Sequence, residues 1–75
     1  MQEIQKKINE AIVHYDTTAI YMKGEGGEKD FLRIPVPVDV EVEDLCDTIN
    51  SVIQNEGYQI DDENLSKYID VIPTY

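Results

Sequence analysis

The chain has no tryptophan, and only one cysteine, one histidine and one phenylalanine among its 75 residues. A lone cysteine cannot close a disulfide within the chain, which fits a reducing compartment. One thiol and one imidazole also fall short of the four ligands of a structural zinc site. Nucleophilic catalysis needs a nucleophile beside an oriented base. Cys46 instead falls on an apolar helical stripe, where a thiol behaves as a small hydrophobe. His14 falls off the stripe of the preceding helix, near its end, where solvation is the plain reading. No apolar run is long enough for a signal peptide or a membrane span. These absences lead us to expect a cytoplasmic protein with no catalytic centre, no cofactor, no metal and no membrane association.

Positive charge is equally scarce. Six basic residues stand against sixteen acidic ones, for a net charge of −10. The imbalance is uneven along the chain. Residues 1–33 carry Lys6, Lys7, Lys23, Lys29 and Arg33 against six acids, whereas residues 34–75 carry Lys67 against ten. Such a field repels nucleic acid and anionic lipid and attracts basic proteins. With no basic stripe to neutralise phosphates, direct nucleic-acid binding is not expected.

What is present is a regular hydrophobic pattern. Seventy-five residues make one domain, 1–75, and a chain of this size buries only about 60–65% of its unfolded surface. Ile4, Ile8, Ala11, Ile12 and Tyr15 share one helical face, so the spacing predicts a helix over roughly 2–15. Thr, Ile and Tyr in 18–23 favour a strand, and Gly24–Gly27 a turn. From Asp30 onward, Leu32, Ile34, Val36, Val38, Val40 and Val42 alternate with other residues, a strict period of two. Pro35 and Pro37 are two apart, so their missing N–H groups lie on one side. That predicts a sheet edge, at least in the second half of the strand, or else an Ile-Pro-Val-Pro-Val connector leaving the sheet. Leu45, Cys46, Ile49, Val52 and Ile53 return to helical spacing. Asp39 or Glu41 opens this helix, Glu43 and Asp44 stand in its first turn, and Gly57 closes it, giving roughly 41–55.

The C-terminal segment is ambiguous. Asp61 or Asp62 can cap a short helix bearing Leu65, Tyr68, Ile69 and Ile72, or Tyr68–Ile72 can form a strand, and we favour the helix. The expected fold is therefore α+β in α-β-β-α order, with a short C-terminal helix or strand. A two- or three-stranded antiparallel sheet would pack against two helices, whose stripes meet Leu32, Ile34 and Val36.

Several motifs fail on inspection. A calcium loop starting at Asp39 would need glycine at its sixth position, which is Asp44, and glutamate at its twelfth, which is Asn50. The Gly24–Gly27 loop joins two extended runs and carries Glu25 and Glu28, unlike a phosphate cradle leading into a helix.

Two functional readings remain. In the first, the chain is a small acidic protein that binds and inhibits or modulates another, basic, protein. It would do so by imitating nucleic-acid charge, as small inhibitors of phage or plasmid type do. The partner-binding candidates are Glu41, Glu43, Asp44 and Asp47 around the second helix, together with the Asp61, Asp62 and Glu63 cluster. In the alternative reading, the chain is an interaction or homodimerisation module. It would bind through an edge strand and the tyrosines Tyr15, Tyr21, Tyr58, Tyr68 and Tyr75.

Overall fold

A computed structural model describes residues 2–61 and 67–74. Helix α1 spans Gln2–Ile12 and runs into a 3₁₀ turn at Val13–Tyr15. Asp16, in the left-handed region at φ 63°, ends that turn. Strands β1 (Ile20–Met22) and β2 (Phe31–Pro35) form a hairpin. Helix α2 (Val42–Ile53) follows, then a second hairpin of β3 (Tyr58–Asp61) and β4 (Tyr68–Pro73). The sheet is antiparallel throughout, in the order β1-β2-β4-β3.

The element order is thus α-β-β twice over, and the second strands of the two halves meet at the centre of the sheet. The buried residues match between the halves. Ile4, Ile8 and Ile12 on α1 correspond to Leu45, Ile49 and Ile53 on α2, each set at i, i+4, i+8. Leu32 and Ile34 on β2 correspond to Ile69 and Val71 on β4. With Ala19, these residues form the core. Both helices lie on one face of the sheet, since a strand's alternate residues point to the same side.

Three expectations need correction. The sheet has four strands, not two or three, because β3 was not foreseen. Tyr58-Gln59-Ile60-Asp61 does alternate, but four residues are too few for periodicity to separate strand from loop. The second correction concerns the favoured C-terminal helix: Tyr68–Pro73 is strand β4, while Leu65 lies outside the described residues. Burial decides this, because the alternation that hides Ile69 and Val71 gives β2 a partner that a helix would not.

Finally, β2 is an inner strand rather than an edge. Val36 N–H donates to Lys67 C=O (3.0 Å). By antiparallel alternation, Ile34 and Val36 therefore bond toward β4, and Arg33 and Pro35 toward β1. Strand β1 begins at Ile20, opposite Arg33, so nothing in it needs an N–H from Pro35. The Pro35 carbonyl instead accepts from Thr17 Oγ1 (2.7 Å). Pro37 lies past the strand in a turn closed by Val40 N–H on the Pro37 carbonyl (3.1 Å), so of the Ile-Pro-Val-Pro-Val connector alternative only the part after Pro35 lies outside the strand.

Two side chains of α1 finish the β1 edge. Asn9 Oδ1 accepts from Ala19 N–H (2.6 Å), and Gln5 Nε2 donates to Ala19 C=O (3.0 Å). Both backbone groups of Ala19 are thereby closed to an incoming strand. The first hairpin loop is held by Asp30, whose carboxylate accepts from Gly24 N–H (2.7 Å) and from the Tyr21 hydroxyl. Glycine is required at position 24 by close approach, since a Cβ there would stand 2.2 Å from the Glu28 carbonyl oxygen.

Candidate functional site

The seven acidic candidates do not share one surface. Glu41 is the N-cap residue of α2, and its carbonyl accepts from Leu45 N–H (3.2 Å) without a side-chain cap bond. Glu43 and Asp44 occupy the first turn, where the helix dipole favours negative charge, and Asp47 follows one turn on. All four are exposed, and none pairs with a cation among the described residues. Asp61 lies elsewhere. Its register partner is Asp70, which falls between the buried Ile69 and Val71, so both carboxylates project from the sheet face away from the helices. Asp62 and Glu63 lie outside the described residues.

That open face carries features the sequence reading missed. A row of register partners crosses all four strands: Ile20 on β1, Arg33 on β2, Asp70 on β4 and Asp61 on β3. Arg33 forks onto Asp70 through Nε to Oδ1 (2.9 Å) and Nη2 to Oδ2 (3.1 Å). Its guanidinium stacks 3.9 Å from the Tyr68 ring centroid and 5.4 Å from that of Phe31. The hydrogen bonds that Arg33 donates to Asp70 raise the Arg33 pKa, against partial desolvation. The sequence held one signal for this pair: each residue is the charged position between two apolar ones in an alternating run. Beside the row, Phe31, Ile72 and Pro73 line a hollow of ≈ 420 Å³ together with Glu28, Lys29, Asp61 and Asp70.

The tyrosines are largely committed within the fold. Thr48 Oγ1 donates to the Asp44 carbonyl (3.0 Å), so the Tyr15 hydroxyl must be the donor in its 3.1 Å bond to Thr48, tying the 3₁₀ turn to α2. Tyr58 packs against the core and Tyr68 lies beneath Arg33. Tyr21 is exposed and bonded to Asp30, and Tyr75 lies outside the described residues.

The two nucleophile or base candidates do not meet. Cys46 is half-buried against the core. Burial pushes its thiol pKa up, with Asp47 and Glu43 adding to the effect, so the thiolate is disfavoured. His14 is exposed in the middle of the 3₁₀ turn, its ring 4.2 Å from that of Tyr15. Among the described residues, no three of His, Cys, Asp and Glu come together in a way that could hold a metal ion. No described helix is long and apolar enough to cross a membrane. No family model, curated protein or solved structure matches this chain.

Proposed function

We propose that this chain is a non-catalytic protein that binds a basic protein and inhibits or modulates it, using the carboxylates of α2 as a stand-in for a nucleic-acid strand. One observation carries the reading: Glu41, Glu43, Asp44 and Asp47 are exposed together and have no cationic partner among the described residues. Their spacing adds support. Six residues of helix rise about 9 Å, so four charges fall at about one per 3 Å. One strand of a duplex carries one per about 3.4 Å of axis. A ridge of that density favours fast, salt-sensitive encounter with a groove built for phosphates.

The alternative, docking through an edge strand and tyrosines, has less in its favour. The β1 edge is closed at Ala19 by Asn9 and Gln5, Tyr15 and Tyr58 pack half-buried against the core, and the Tyr68 ring is covered by Arg33.

The test is capture of partners from a cell lysate at low salt, elution with duplex DNA, and a parallel capture with the triple variant Glu43→Lys, Asp44→Lys, Asp47→Lys. A nucleic-acid-binding protein that DNA displaces, and that the variant fails to hold, is the expected outcome. A partner that resists salt and ignores the charge reversal would remove mimicry and favour the alternative.

A further inference from the structure

We infer that the hollow on the open sheet face is a docking site for an arginine side chain of a partner protein. The inference rests on the reading that the chain binds a basic protein, and it specifies a second point of contact, on the opposite side of the sheet from α2.

The size of the open face excludes a second copy of this chain. Four strands span about 14 Å across, and strands of three to six residues run about 10–20 Å. That footprint of a few hundred Å² falls well short of the roughly 800 Å² per partner in a stable protein interface. A net charge of −10 also sets two copies against each other. The face suits a single side chain or a short segment instead.

The chemistry of the hollow selects which side chain. Its lining includes apolar surface from Phe31, Ile72 and Pro73, which suits an aliphatic stem. The lining also carries three carboxylates, Glu28, Asp61 and Asp70, against the ammonium of Lys29 and the Arg33 guanidinium bound to Asp70, an excess of one negative charge. Asp61 and Asp70 are direct cross-strand partners, and Arg33 on Asp70 already offsets part of their repulsion. The same face already holds one arginine. Arg33 lies over the Tyr68 and Phe31 rings and forks onto Asp70, using one lone pair on each carboxylate oxygen. Each oxygen can accept a further bond. A planar fork satisfies this geometry better than a point charge does, which favours arginine over lysine. Lys29 and Asp61 are both already engaged, so an incoming guanidinium competes with an existing contact rather than filling a bare site.

The experiment is a titration of the isotope-labelled protein with acetyl-Gly-Arg-Gly-amide in 0.15 M salt (where screening acts beyond about 8 Å), followed by amide NMR. Lysine and citrulline peptides serve as controls. Expected are saturable shifts at Phe31, Asp61, Asp70 and Ile72, with at least threefold weaker binding of lysine and none of citrulline. Asp61→Asn should weaken binding at least fivefold. Glu28→Gln, in the exposed loop, should weaken it about twofold and serves if the first variant loses its dispersed spectrum. Lys29→Gln should strengthen it. Shifts confined to residues 43–47 would overturn the arginine site while leaving the α2 ridge standing. The absence of saturable shifts would overturn it too. Saturable shifts at the hollow that survive the α2 charge reversal would uphold it even if DNA fails to displace any captured protein.

Discussion

The two α-β-β halves are alike inside and opposed outside. Each buries three helix residues at i, i+4, i+8 and two strand residues at i, i+2, and each sends its second strand to the centre of the sheet. Outside, the first half is nearly balanced in charge, while residues 34–75 carry ten acids and one base. The halves even contribute opposite charges to the central pair, Arg33 from β2 and Asp70 from β4. Burial constrains only the inward positions, so the same internal frame can carry very different surfaces. Acidity is thus a property of one half's exterior, and a functional reading has to ask which side each carboxylate faces.

Matched truncations should give the largest effects and would test the internal equivalence. Ile8→Ala and Ile49→Ala each remove most of a fully buried side chain. We expect each to cost about 2–5 kcal/mol, which is most of the stability of a domain this small. Urea unfolding curves measure both, and a cost at one position under a third of the other would break the equivalence.

Next comes the loop of the first hairpin. In Gly24→Ala the new Cβ meets backbone carbonyls of Glu28 and Lys29 that cannot swing away. A loss of about 1–3 kcal/mol is expected, read as a drop of about 4–8 °C in the thermal midpoint per kcal/mol. An unchanged midpoint would mean that this loop does not hold the hairpin closed.

The central ion pair should rank below that and above any surface pair. Asp70→Ala strips both partners from a guanidinium packed on Tyr68, at a cost of about 1–2 kcal/mol. Glu56→Gln, which breaks the exposed 3.1 Å pair with Lys7, should cost under about 0.5 kcal/mol. Equal costs would show that the open face is as solvated as the helix surface.

The smallest effect is a pH dependence in the second half. The Cys46 thiol has a raised pKa in the fold, chiefly through desolvation. Its contribution is therefore intact below the ordinary thiol value of about 8.5 and is lost as pH rises through the folded value. Chemical denaturation between pH 7 and 10 should show a mild decline that Cys46→Ala removes. A decline of the same size in the variant would place its origin elsewhere.

Several elements were legible because backbone geometry writes them locally. The helical stripes of Ile4, Ile8 and Ile12 and of Leu45 and Ile49 recur at the helix period, and Leu32 and Ile34 recur at the strand period. The acid-rich opening of α2 was legible for the same reason, as was the packing role of Cys46. Strands β3 and β4 were not, since four to six residues around Gln59 and Asp70 satisfy more than one local pattern. No local pattern marks Gln5 and Asn9 out on α1, and only their place beside Ala19 makes them edge caps. Pro35 misled because the sequence shows a missing donor without showing that β1 starts too late to need it.

By itself, then, the sequence determined the α+β class, the two amphipathic helices, the inward alternation of β2 and the excess of negative charge. Each is carried by residue type or by a period within one segment. Tertiary structure alone decided the order β1-β2-β4-β3, the meeting of Arg33 with Asp70, and the separation of Asp61 from the acids of α2. Those depend on which distant strand buries Leu32 and Ile34, a choice made by long-range packing and invisible to any local period.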